Sequence, residues 1–445
     1  MNLSRHLLPA ALVLLPAALA AQSPVTLTLG GAARLAATQS GAAVIARTRI
    51  DQADARVRQA RSLLFPTLSA AAGESERNMN TATFGFSFRD PSGRPYFDPN
   101  GVILPPVKVL DLRGRAQANL LDLSVAAKLG SVRQQVRVAE AEATGAGDQA
   151  AALAANAYVR AARADAVLSA RLADSTLAAE LLTIANEQLQ AGVGVALDVT
   201  RARSQLSLAH AQLIGARADR DRARLDLRRI AGIDPAAELV LSDSLFALPV
   251  GAPLPSVDEG TRIAVARRAD IRAANEQKVA AERNVAATRL ERLPTLGLFG
   301  DQGAIGPSSA HLLNTYSWGL QVSIPIFDGF RREGRVQEQR AAVREADARR
   351  RDLEAQAAID VRTALLDLNT AREMLAAAED RLALAQQELE QARARFTAGV
   401  SGNADVITAS LGINAARTQV VDARAAYQTA RVTLARAEGT VTELP

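Results

Sequence analysis

Gln190-Ala-Gly-Val-Gly-Val-Ala-Leu-Asp-Val199 and Thr397-Ala-Gly-Val-Ser-Gly-Asn-Ala-Asp-Val406 place Ala-Gly-Val near the start and Asp-Val at the end of one shared frame. Each stretch interrupts a long charged, Ala-rich segment. A residue tolerant of positive φ can close one helix there, and an acidic side chain a few positions on can cap the next, so each reads as the turn of a helical hairpin. Working outward, Leu64-Phe65-Pro66-Thr67-Leu68 resembles Arg292-Leu293-Pro294-Thr295-Leu296, and Leu120-Leu121-Asp122 parallels Ile326-Phe327-Asp328. Landmarks that recur in one order divide the chain into two similar halves, residues 22–231 and 258–445. Residues 232–257 join them, rich in Pro, Ser and Asp, with one apolar run at Leu239 to Leu241.

Each half reads as helix, Pro break, alternating segment, loop, alternating segment, long helix, tip and return helix. The first helix is expected over roughly 30–63 and its counterpart over roughly 259–292, each stopped by the Pro that follows. The long segments keep a heptad up to the tip: Leu375, Ala378, Leu382, Ala385, Leu389, Ala392 and Phe396 in the second half, Leu168, Leu172, Ser175, Ala179, Leu182, Asn186 and Leu189 in the first. A helix from Val125 to Gln190 would be about 100 Å long, far more than a compact domain needs.

Composition agrees. Of 445 residues 48% are apolar but only 3% aromatic, the make-up of long packed helices rather than a thick globular core. The 52 basic and 47 acidic residues give a net charge of +5 and are interleaved, as in Arg217-Ala218-Asp219-Arg220-Asp221-Arg222. That pattern is a solvated helix face, not a nucleic-acid patch. The three histidines, His6, His210 and His311, belong to no metal-ligand or nucleophile arrangement, and the chain has no cysteine. Neither an enzyme nor a metal or other cofactor is expected.

Arg5, the apolar run from Leu7 to Leu19 and Ala18-Leu19-Ala20 fit a cleaved signal peptide over residues 1–21. Beyond it no apolar stretch is long enough for a membrane helix, so any membrane span must be built of strands. Tyr316, Trp318, Leu320, Val322, Ile324 and Ile326 alternate strictly with Ser317, Gly319, Gln321, Ser323 and Pro325. In the first half Leu110, Leu112, Ala116, Ala118 and Leu120 alternate with Asp111, Arg113, Arg115, Gln117 and Asn119. One greasy and one charged face suit lipid on one side and a water-filled lumen on the other, with Tyr316 and Trp318 in an aromatic girdle and Asp111, Arg113, Arg115 and Gln117 toward the lumen. Partner strands are expected near Thr67 to Glu74 and Thr295 to Gln302, with long loops at about 78–107 and 303–314. A soluble sheet packed on a helix would show the same alternation. Export and the lack of any membrane helix favour the membrane. Four strands cannot close a barrel with a lumen, so several subunits must share one.

This order of elements, repeated, resembles the TolC-type outer membrane efflux proteins. The resemblance covers essentially the whole mature chain and is most specific at Phe396-Thr-Ala-Gly399 with Asp405-Val406, Gln190-Ala-Gly192 with Asp198-Val199, and Val322-Ser-Ile-Pro-Ile-Phe-Asp-Gly329. It implies a mainly α fold with membrane β: a long coiled-coil barrel of helices, and four strands per subunit forming a 12-stranded barrel in a homotrimer. It further implies an outer-membrane location, contact with lipid, a periplasmic adaptor and, indirectly, an inner-membrane transporter. Residues 232–257 with the carboxy-terminal end would form a belt around the tunnel. Ala191, Gly192, Val193, Ala398, Gly399 and Val400 match adaptor-docking positions, and Asp405, with Asp198 at the equivalent place, a periplasmic gate. Plain helix capping is an equal reading of both aspartates. Thr408 and Ser401 stand where family members can carry a second acidic ring and a locking Arg. Because Phe396 and Ser401 replace Leu189 and Gly194 between the tips, the second hairpin is expected to move more on opening. The competing class is a soluble periplasmic coiled-coil adaptor or scaffold, which would share the heptads and signal peptide but need no strands with one apolar face.

Overall fold

In a computed structural model the described residues are 25–84, 89–96, 98, 100–251, 253–398, 400 and 402–445. The expected signal peptide, Gly399 and Ser401 lie outside them. In chain order the elements are β1 (Val25–Leu27), α1 (Leu29–Gln39), α2 (Gly41–Ser62), β2 (Thr67–Asn80), β3 (Ile103–Leu121), α3 (Leu123–Gln190), α4 (Ala196–Ala231), β4 (Leu239–Leu241), α5 (Val257–Arg267), α6 (Ala269–Leu290), β5 (Thr295–Gly306), β6 (Leu313–Ser323), α7 (Arg331–Thr397) and α8 (Asn403–Glu438). No described helix is long and apolar enough to cross a membrane.

The halves repeat closely. Helices of 11 and 22 residues open each one, α1–α2 and α5–α6, and a helix of 68 or 67 residues followed by one of 36 closes it. Both return helices end on a left-handed Gly, Gly232 and Gly439. The opening helix of each half, expected as one piece, is broken after 11 residues. At Ser40 the backbone turns extended and the side chain caps the next helix by accepting from the Ala43 N–H; Arg268 breaks the second half at the matching place. The Ser40-Gly41 pair is a legible stop and start, passed over because the apolar periodicity runs across it.

The break lets α1 lie across the middle of α3. Ala32, Ala33 and Ala36 pack on the Ala150–Ala162 stretch of α3, where eight of the thirteen residues are Ala and Tyr158 is fully buried. Small side chains let the two backbones approach closely, and Gly147 of α3 sits where a Cβ would crowd the Ala37 carbonyl at 3.2 Å. The linker folds over this core. Its β4 pairs in parallel with β1, a sheet absent from the sequence reading, and the chain end closes the layer through Gly30 N–H donating to Pro445 O at 2.7 Å. Tyr158 Oη donates to the Asp243 carbonyl and accepts from the Asp243 N–H, both at 3.1 Å, while Tyr427 Oη accepts from Gly251 N–H at 3.1 Å. Burial pushes the Tyr158 phenol up to about 12 despite the Asp243 backbone.

The second heptad seam packs as read, with Leu375, Ala378, Ala385, Leu389 and Phe396 all buried. The first does not. Leu172 and Leu189 are exposed, and the buried line in α3 is Asp174, Leu177, Ala178, Leu181 and Ala185. The true seam includes a charged residue, Asp174, which a line of apolar residues does not contain.

Candidate channel wall and hairpin tips

The strands form one antiparallel sheet in the order β2-β3-β5-β6, so the strand pairs of the two halves join through β3 and β5. The ladders are long enough to shorten both loops, to 81–102 and 307–312; the greasy alternation continues past the end of β6 at Ser323 through Ile324 and Ile326. Register carries side-chain parity across all four strands. Leu112 pairs with Ala304, Ala116 with Leu68 and Gly300, and Gly300 with Trp318. One face thus holds Leu68, Leu112, Ala116, Leu298, Leu320, Val322, Tyr316 and Trp318, the last two 75% and 73% exposed. Asp111, Arg113, Arg115 and Gln117 all lie on the opposite face.

There Arg115 is level with Asp301, and Asp301 with Ser317. Arg113 binds Asp111 at 3.2 Å and also Asp301, which in turn accepts from the Ser317 hydroxyl. Asp301 was missed as a site residue, although it shares the parity of Ser317 in the strand pair. The face is not wholly polar, since Phe299 lies over Gly319. Edges β2 and β6 are unpaired along their outer sides, leaving the sheet open.

Far from the sheet, α3 ends on Ala191 and the left-handed Gly192, with Val193 N–H donating to the Gln188 carbonyl; Val400 N–H donates to Arg395 in the same way. Ala191, Gly192, Val193, Ala398 and Val400 are exposed, the two valines at 80% and 70%. Asp198 and Asp405 do not cap. The N-cap positions are Val195 and Gly402, neither with a side-chain bond, and the two aspartates sit in the first helical turn, where a negative charge meets the positive end of the helix dipole. Asp198 has Arg201 at 3.8 Å, whereas Asp405 is exposed.

Three polar ties cross between the hairpins near these tips. Asn403, fully buried, donates from Nδ2 to the Asp198 carbonyl at 3.3 Å; its Oδ1 has no partner among the described residues. Glu180 of α3 meets Arg393 of α7 at 3.2 Å. Asp174 of α3, only 1% exposed at its side chain, is held by Arg171 at 3.0 Å and by Arg417 of α8 at 3.1 Å, and the Asn414 amide, turned with its nitrogen inward, donates to it at 2.6 Å. An apolar cluster of Leu177, Leu181, Leu389, Phe396, Val406 and Ile413 draws α3, α7 and α8 into one core beside them. Asn403 could have been found in the sequence, because the first tip has Ala196 in its place.

No metal-ligating cluster exists among the described residues. A model of the outer membrane efflux protein family matches residues 44–233 and 261–440. The chain belongs to that family. It is a family of transport proteins of the outer membrane, not of enzymes. Protein CyaE of Bordetella pertussis is 32% identical over 173 residues, 37% of this chain and 36% of that one. Solvent efflux pump outer membrane protein SrpC of Pseudomonas putida is 31% identical over 160 residues, 34% and 32% of the two chains. These matches span about a third of the curated relatives' length. Among solved structures, a membrane protein from Pseudomonas aeruginosa superposes with a TM-score of 0.71 at 21% identity, covering 92% of this chain and 93% of that one. VceC from Vibrio cholerae gives 0.69 at 21%, covering 92% and 96%, and the open-state MtrE channel of Neisseria gonorrhoeae gives 0.71 at 20%, covering 92% and 88%. The efflux-protein fold therefore extends over nearly the whole chain.

Proposed function

We propose that the chain is one subunit of a homotrimeric channel that carries solutes from an inner-membrane transporter, through a periplasmic adaptor docked on the hairpin tips, to the cell exterior. The observation that carries this reading is the open four-stranded sheet with one apolar and one charged face. Three copies joined β6 to β2 give twelve strands, remove every unpaired edge, turn Tyr316 and Trp318 to lipid and line the lumen with Asp111, Arg113, Arg115 and Gln117. The tip residues Ala191 to Val193 and Ala398 to Val400 form the adaptor surface. Asp198 and Asp405, repeated three times about the axis, ring the periplasmic mouth and favour cations there. Symmetry of the elements supports the division at 22–231, 232–257 and 258–445. Purified protein in planar bilayers is expected to give discrete conductance steps. Silent bilayers from correctly assembled protein would sink the channel, and release from the envelope by mild detergent would favour the soluble scaffold.

A further inference from the structure

Phe330 is the one described non-glycine residue with positive φ, at +64°, and it follows Gly329 at +68°. A left-handed backbone crowds a Cβ, so such a residue persists where something outside its own backbone favours it. Nothing among the described residues does. The Phe330 ring is 71% exposed, and its aromatic neighbour is Phe327, packed edge-on at 5.5 Å and itself 75% exposed. The position is the N-cap of α7, yet Phe330 supplies no capping bond. Glycine would remove the strain and sacrifice almost no packing.

Continuity shows what covers the pair. The apolar face of β6 runs on through Ile324 and Ile326, 59% and 94% exposed, directly into Phe327. Tyr316 and Phe327 are 11 residues apart. As extended chain at about 3.3 Å per residue and about 40° tilt, that is roughly 28 Å of height, close to the ~25 Å apolar band of a membrane barrel. The aromatic pair therefore falls where the band ends on the helix side. Cationic groups accompany exposed aromatics at the helix-side end of the sheet: Arg331, whose side chain is 71% exposed with its Nε 3.8 Å from the Asp328 carboxylate, follows Phe330, and at the α2–β2 junction the Arg61 guanidinium lies 5.7 Å over the Phe65 ring.

Building on the channel reading above, we propose that Phe327 and Phe330 form an interfacial anchor that inserts at the headgroup–acyl boundary of the periplasmic phospholipid leaflet, with Arg331 facing the lipid phosphates. The lipid contact offsets the left-handed backbone and fixes the height at which the strands give way to helices.

The chain has a single tryptophan, Trp318, which makes a fluorescence test direct. Three proteins are reconstituted into phosphatidylethanolamine–phosphatidylglycerol vesicles: the native chain, Trp318→Phe with Phe330→Trp, and Trp318→Phe with Phe327→Trp. Lipids brominated near the head or near the tail of the acyl chain then report contact and depth. Both junction reporters are expected to be quenched about twofold more by the shallow bromine than by the deep one. Quenching by neither overturns the anchor, with blue emission pointing to a neighbouring subunit as the cover and red emission to water. The reporter at 327 decides the matter should Phe330→Trp fail to assemble. Trp318 separates the two readings: if it is quenched while 327 and 330 are not, the anchor alone fails, and if none is quenched the membrane span itself fails.

Discussion

Asp174 is the residue on which the lower helices depend most. Its carboxylate is buried, and Arg171 and Arg417 are aimed at it from two different hairpins. Asp174→Asn leaves both guanidinium groups without a counter-charge. Because those groups keep some solvent exposure, the expected loss is about 3 kcal/mol, the lower end for a broken buried pair, read as a fall in denaturation midpoint. On the sheet, Arg113 bridges Asp111 and Asp301. If that face lines the proposed lumen, Arg113→Ala leaves both carboxylates without this partner and is expected to shift the reversal potential in a salt gradient toward cation selectivity; an unchanged potential would remove Arg113 from the lumen. Asp148 in α3 titrates the other way from a paired carboxylate. Burial holds its pKa above the usual 3.8, only partly countered by Arg272. The cost to folding therefore builds as the pH rises from the unfolded to the folded pKa and is full above it, and below the unfolded value both states are protonated and the effect vanishes. Asp148→Asn is expected to raise the thermal midpoint near neutral pH and to leave it unchanged in acid.

At the scale of elements, the hairpins are tied more closely than their sequences imply. The tip differences suggested a second hairpin that moves more than the first. Yet α3, α7 and α8 share one apolar cluster, and the Asn403, Glu180 and Asp174 contacts all cross between hairpins. Opening is then expected to carry α7 and α8 together with α3. A bismaleimide bridging Glu180→Cys and Arg393→Cys in this cysteine-free chain tests it. Retained conductance supports the joint movement, and lost conductance restores the larger movement of the second hairpin. The heptads failed as a guide in α3 because a seam can bury a charge when a partner helix brings two arginines to it, and periodicity of apolar residues contains no term for that.

For the whole molecule the open sheet is decisive. Edges β2 and β6 present unpaired N–H and C=O groups that have no water to turn to inside a bilayer, so an isolated chain cannot be the membrane form. Light scattering in mild detergent is expected to give three protein chains per particle, and a stable monomer would contradict the closed barrel. The linker is likewise held in place. Tyr158 and Tyr427, one from each half, hold the linker to the helices through Asp243 and Gly251. The linker is therefore a folded layer, not a tether.

By itself the sequence determined the two-half repeat, the hairpin tips, the long helices and the parity of both strong strands, because each rests on local periodicity or on turn residues that act within a few positions. Tertiary structure alone decided the order β2-β3-β5-β6, the β1–β4 pair, the true seam of α3 and the ties through Asp174 and Asn403. These depend on contacts between residues up to several hundred positions apart, whose partners no local pattern names. The repeated tip frame belongs to both accounts. Its turns were legible as spacing, but its aspartates proved to be first-turn residues and not caps, since side-chain geometry in three dimensions, not distance along the chain, decides which atom meets a free N–H.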